Sequence, residues 1–444
     1  MEQNPNNILP ASGHDICNYF ARHGMANFQI QIVLKFESRI DFDKLLRAAK
    51  LSVEEEPVLG CRFIEGDPPY WKRIKDFAEE RLCSIEETDN PERAVKHFSG
   101  SPLDMDKDLN VKVKLIRAEG YDTICIKINH ACCDGAGAKE YIQLLSKIYS
   151  FIDRENDSYI PNPRIGGRKD QDKLFDALGI KHSASGWNPL TDAPRTVWRF
   201  PWKHGSRLNN TRFKICRIPK EQLDILLEYS KSKGATVNDL ILTALYRSMF
   251  EFSKPPYGVP MDISTTIDLR RYIPDQKAEA IRNFSGGFRT GIARKVDESF
   301  EGTLFRVVHA TKKIKEGLPG LQNAKGGEFV ETLNFPMINA FFKILSQDSV
   351  FMSQIPFSIS NMYCGLALSN LAYLSRPLLK FGENVVTDAY VLPPVVRAPG
   401  LLILACTYNG TLILSFGYYK GSLRQKDAER LLNKIKKELM GVSI

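Results

Sequence analysis

A mixed α/β architecture in two lobes is the fold class this sequence predicts, and three observations carry it. Strand-like alternation and helix-like periodicity both occur in each half of the 444-residue chain. Hairpin signals join strands in both halves, so the sheets are expected to be mixed and not purely parallel. A stretch rich in proline, glycine and basic residues separates the halves, and no short-period repeat runs through them. The expected organisation is an N-terminal lobe over 1–160, a connection over 161–210 and a C-terminal lobe over 211–444.

Residues 27–36 alternate as a strand does. Asp41 then opens a helix with Phe42, Leu45, Leu46, Ala49 and Val53 on one side, ended by Pro57 and Gly60. Arg62 to Glu65 and Tyr70 to Ile74 read as short strands around the turn Gly66-Asp67-Pro68-Pro69. Val111 to Ile116 alternates apolar and basic residues, and Thr123 to Ile128 follows as the second strand of a hairpin. Past its end, Gly135 stands near the start of a helix holding Tyr141, Leu144, Leu145, Ile148 and Tyr149.

The connection holds Pro161, Pro163, Pro189, Pro194 and Pro201, but also Trp187, Trp198 and Trp202, which argue that part of it packs on protein. Beyond it, Phe213 to Ile218 is strand-like and Lys220 to Lys233 helical, with Gly234 as terminator. Thr236-Val237-Asn238-Asp239 has the form of a capping box for the next helix. Met261 to Ile267 and Gly287 to Ile292 read as strands, and Thr303 to Lys315 as a helix. Tyr408-Asn409-Gly410-Thr411 is a two-residue hairpin signal. Ser422 to Met440 closes the chain as an amphipathic helix.

Composition narrows the function. Hydrophobic residues at 43% and charged residues at 25% are those of an ordinary globular protein. The nine cysteines are scattered, with no CxxC pair or zinc quartet, which points to reduced thiols and no metal site. The polar start of the chain has no signal-peptide pattern and the apolar runs are far short of a membrane span, so a cytoplasmic location is the expectation. The net charge of +9 fits either an anionic partner or a lysine-rich surface. Nucleic acid is not expected, for want of any basic arm, finger or RNA-binding sheet motif.

The sharpest chemical signal is Asn129-His130-Ala131-Cys132-Cys133-Asp134-Gly135, at a strand-to-helix junction. A chance His-x-x-x-Asp-Gly is expected roughly 0.03 times in a chain of this composition. A neutral imidazole at a strand tip can take a proton from a hydroxyl or amine, although a lone loop histidine can equally hydrogen-bond backbone. Asp134 has three readings: orienting His130, pairing with a buried cation, or serving as an ordinary turn or cap. Cys132 and Cys133 raise the idea of a thiol nucleophile, but no third orienting group is evident.

This loop resembles the HHxxxDG motif of the chloramphenicol acetyltransferase-like superfamily, which includes condensation domains, wax ester synthases, alcohol acetyltransferases and plant BAHD enzymes. Other segments resemble the same superfamily in order: Leu9 to Asp15 its opening, Thr236 to Ala244 its "TvNDvvLa" segment, and Thr266 to Arg271 its "vdlR" strand end. Arg282 to Gly287 is similar to its "GN" loop and Ser358 to Gly365 to its "SNxxG" segment. The resemblance implies two lobes meeting along a tunnel, with His130 at its middle as general base for attack on an acyl thioester. It implies that Asp134 is structural, with Arg270 as its partner. Gly135 and the Ser360-Asn361 region would then stabilise the oxyanion, and Asn238 and Asp239 would lie near the channel unless they merely start a helix.

Two departures stand out: Asn129 replaces the first motif histidine, and the plant DFGWG motif is absent. The expected protein is a freestanding, monomeric acyltransferase acting on an alcohol or amine. Its co-substrate would be acyl-CoA or an acyl-phosphopantetheine carrier protein, with no tightly bound cofactor. The alternative is a non-catalytic binding or carrier-docking protein on the same fold. The apolar stretch Phe329 to Leu345 has three readings: core packing, an acyl channel or peripheral membrane contact.

Overall fold

Alternation along two adjacent segments sets the frame on which the His130 loop sits. The computed structural model describes residues 7–23, 25–154, 159–166, 168, 171–180, 198–203, 210–345 and 365–443. Its first half supplies β1 (Ile8–Pro10), β2 (Gln29–Phe36), β3 (Cys61–Ile64), β4 (Tyr70–Arg73), β5 (Cys83–Glu87), β6 (Val111–Ala118) and β7 (Tyr121–Asn129). Its second half supplies β8 (Thr211–Ile218), β9 (Pro260–Asp268), β10 (Ser285–Ala293), β11 (Leu366–Tyr373), β12 (Lys380–Phe381), β13 (Asn384–Leu392), β14 (Leu401–Tyr408) and β15 (Thr411–Tyr419).

Val111, Val113 and Leu115 of β6 point into the core while Lys112 and Lys114 point out. The β6–β7 hairpin pairs Val111 with Ile128 and Ala118 with Tyr121, and β2 pairs along the other edge of β7 from Gln29·Asn129 to Phe36·Asp122. β7 is therefore a central strand, buried along nearly its whole length. Its end is held from both sides, which gives the following loop a rigid base.

The first six-stranded sheet runs β12-β13-β2-β7-β6-β5, and the second β10-β9-β11-β14-β15-β8. Both are mixed: β5 is parallel to β6, and β11 is parallel to β9 and β14, while the remaining pairs are antiparallel. A small sheet, β1-β4-β3, adds a pairing for Ile8–Pro10 that alternation did not reveal. One connection is unexpected from chain order. β13, from the second half, pairs with β2 from Leu392·Gln31 to Val386·Phe36, so the first sheet draws an edge from the far end of the chain.

Each sheet has its own apolar core. The helix Gly135–Arg154 lays Tyr141, Ile142, Leu145 and Ile148 against the first sheet, where Phe381, Val386 and Val391 of β12 and β13 join them. The helices Val237–Ser253 and Gln425–Met440 bring Leu240, Ile241 and Leu242 together with Leu431, Ile435 and Leu439 over the second sheet.

Helix starts follow the capping chemistry read from the sequence. Asp41 accepts from the Lys44 N–H, and Thr236 and Asp239 form a reciprocal capping box. The β14–β15 turn places Asn409 and Gly410 at φ of 45° and 74°, the two positive values that a tight hairpin of this hand requires.

The connection packs in part on protein: Trp198 is buried and its Nε1 donates to the Asp262 carbonyl at 2.6 Å, while Trp187 lies outside the described residues. The apolar stretch forms the helices Leu321–Glu331 and Phe335–Leu345. Phe335 and Phe342 stack on Phe20 as core, whereas Met337, Phe341 and Ile344 are exposed. Among the described residues no helix is long and apolar enough to cross a membrane.

Candidate active site

The loop after β7 is held by its own polar residues. Asn129 donates from Nδ2 to Asn110 Oδ1 at 2.9 Å, and its Oδ1 accepts from the Ala131 N–H at 2.9 Å. The position that departs from the superfamily motif thus shapes the turn. His130 donates its N–H to the Phe28 carbonyl at 2.9 Å, and its carbonyl accepts from Asn18 Nδ2 at 3.2 Å. The imidazole stacks on Phe28 with ring centroids 4.7 Å apart, and its Nδ1 lies 3.3 Å from Asn283 Oδ1. Burial pushes the imidazole below its usual pKa of 6.5, against a smaller upward pull from nearby carbonyls, Asp134 and Asn283. The ring is therefore neutral near pH 7, the form that can accept a proton.

Asp134 lines the same cavity as His130, and its carboxylate is taken up by other partners. Its Oδ2 accepts from Arg270 Nη1 at 2.8 Å and from the Phe284 N–H at 2.7 Å, and its Oδ1 accepts from the Gly137 N–H at 2.8 Å. Burial alone would raise this carboxyl, but the Arg270 guanidinium and the backbone donors overcome it and hold the group ionised. Arg270 also meets Asp268 at 3.2 Å, Glu140 at 3.4 Å and the Arg282 carbonyl at 3.2 Å. Burial lifts the Glu140 carboxyl to about 7. The arginine joins the His130 loop to the end of β9, so it couples the two sheets.

A cavity of about 250 Å³ opens at the seam between the sheets. His130, Gly135 and Lys139 line it from the first half, and Thr266, Ser285, Ser369 and Asn370 from the second. Gly135 opens the 20-residue helix Gly135–Arg154, and a Cβ there would stand 2.4 Å from Leu371 Cδ2. A side chain at this position would have to displace the end of Leu371. Lys139 donates to the Leu371 carbonyl at 2.9 Å and ties the same helix to β11.

The other residues singled out by the sequence divide. Asn238 accepts from Asn370 Nδ2 at 3.3 Å and so touches the cavity wall through that residue. Asp239 serves the helix start, accepting also from Thr311 Oγ1 at 2.9 Å, and does not line the cavity. Ser360 and Asn361 lie outside the described residues. Cys132 and Cys133 are fully buried, and burial drives both thiols far above their usual range, so neither supplies a thiolate. Among the described residues no cluster of three metal-ligating side chains occurs. Asp15 and Asn283 fall in segments that resemble the superfamily but were given no role from the sequence, and Lys139 was not singled out, because an isolated polar residue on a helix carries no spacing signal.

No family model and no curated protein matches this sequence. Solved structures do. The first condensation domain of the calcium-dependent antibiotic synthetase is 14% identical, covers 99% of this chain and 98% of its own, and superposes with a TM-score of 0.68. TRI3 trichothecene 15-O-acetyltransferase from Fusarium sporotrichioides is 13% identical, with 100% and 97% covered and a TM-score of 0.69. Polyketide synthase associated protein 5 from Mycobacterium tuberculosis is 14% identical, with 98% of each chain covered and a TM-score of 0.65. The described residues have the two-lobed α/β fold of condensation domains and of that acetyltransferase.

Proposed function

We propose that this protein is an acyltransferase that moves an acyl group from a CoA or carrier-protein thioester to an alcohol or amine, with His130 as general base. The observation that carries this reading is a buried, neutral imidazole in the wall of a cavity where the two sheets meet. In the proposed step His130 takes the proton of the acceptor as its oxygen or nitrogen bonds to the thioester carbonyl carbon. The carbon–sulfur bond then breaks, and His130 returns the proton to the departing thiolate. The Gly135 N–H, at the positive end of the 20-residue helix, is proposed to favour the oxyanion. Ser360 and Asn361 are proposed for the same task from the superfamily resemblance.

The test is turnover over a panel of acyl-CoA and acyl-carrier thioesters with alcohol and amine acceptors, followed by thiol release and product mass. His130→Ala is expected to lower the rate by about 10²–10⁴-fold. Equal turnover in both proteins would remove the role of His130. Binding of thioesters without turnover by either protein would favour a non-catalytic docking protein.

A further inference from the structure

Asn283 lies between the sheets, in the segment just before β10. Its Nδ2 has two acceptors, the Ala131 carbonyl at 2.7 Å and Asp15 Oδ1 at 3.1 Å. An amide nitrogen only donates, so these two partners fix which way the amide faces. Its Oδ1 is left toward His130 Nδ1 at 3.3 Å, and that oxygen only accepts. The proton of the neutral ring then belongs on Nδ1, and Nε2 keeps the lone pair.

Asp15 is held just as firmly. It is fully buried, and its Oδ2 accepts from Arg168 Nη2 at 2.6 Å, Trp71 Nε1 at 3.0 Å and the Ser12 N–H at 3.1 Å. Arg168 also donates from Nη1 to the Ile281 carbonyl at 2.6 Å, which pins the segment carrying Asn283.

We infer that Asn283 is a positioning residue that holds His130 as its Nδ1–H tautomer, and that Asp15 with Arg168 holds Asn283. The inference rests on the reading of His130 as base. Asp134, paired with Arg270, and the carbonyls of His130 and Cys133 also act on the ring, Lys139 and Asp268 line the same cavity, and all remain in the variant below.

The first measurement is histidine-selective ¹⁵N NMR of the whole protein above pH 8, with His130→Ala to assign the signal. The expected state is a proton on Nδ1 and a bare Nε2, and a proton on Nε2 would overturn the inference without any Asn283 variant. Asn283→Ala is expected to give a mixed tautomer signal and to lower kcat by about 30-fold, with KM within about threefold. A folded Asn283→Ala protein with the native tautomer and kcat would also overturn it. A His130→Ala protein that turns over as the native one does would instead remove His130 as the base, whatever the tautomer.

Discussion

Arg270 and Asp134 meet at 2.8 Å with side chains only 3% and 2% exposed, one from the turn just after β9 and the other from the loop after β7. Breaking such a pair leaves an uncompensated charge in the interior, a loss of about 3–5 kcal/mol when one partner is removed. Asp134→Asn is therefore expected to lower stability by about that amount in denaturant melts. The protein that remains folded should keep most of its turnover. An unchanged melt with lost activity would give Asp134 a direct part in the reaction.

Because burial lowers the His130 pKa, the base stays unprotonated to a lower pH than a free imidazole would. The acid limb of kcat/KM is expected below pH 6.5, with activity complete at pH 7 and lost as pH falls through the lowered value. A limb above 6.5 would contradict this environment.

Gly135→Ala would drive a methyl group against Leu371 Cδ2, the movable end of a side chain that lines the cavity. Overpacking of this kind costs about 1–3 kcal/mol. We expect kcat/KM to fall by about tenfold, and Leu371→Ala in the same protein to restore most of it. Additive losses in the double variant would show that the two positions do not interact.

Cys132→Ala and Cys133→Ala are each expected to retain turnover within about threefold, since both thiols are buried and raised in pKa. Maleimide should label them only after unfolding. Rapid labelling of the native protein with loss of activity would place a thiol in the reaction.

Much of this was legible in the chain. Val111 to Ile116 and Thr123 to Ile128 announce the hairpin because alternate residues face opposite sides of a half-buried sheet. Thr236 and Asp239 announce a helix start because their bonds are local. His130, Asp134 and Arg270 were found through their resemblance to a motif, and the structure places the last two together. Asn283 and Asp15 lie in segments that resemble the superfamily, but their contact was not read, since the hydrogen bond spans 268 positions and nothing local encodes it. The pairing of β13 with β2 escaped for the same reason.

That pairing has a consequence for how the protein can be cut. Without β13, the edge of β2 would present a row of unpaired N–H and C=O groups along an eight-residue, largely buried strand. A fragment ending near residue 160 would carry that open edge into solution, where another copy could add to it. The β13–β2 pairing therefore binds the second half of the chain into the first sheet, so a cut between the halves would remove a strand as well as a connection.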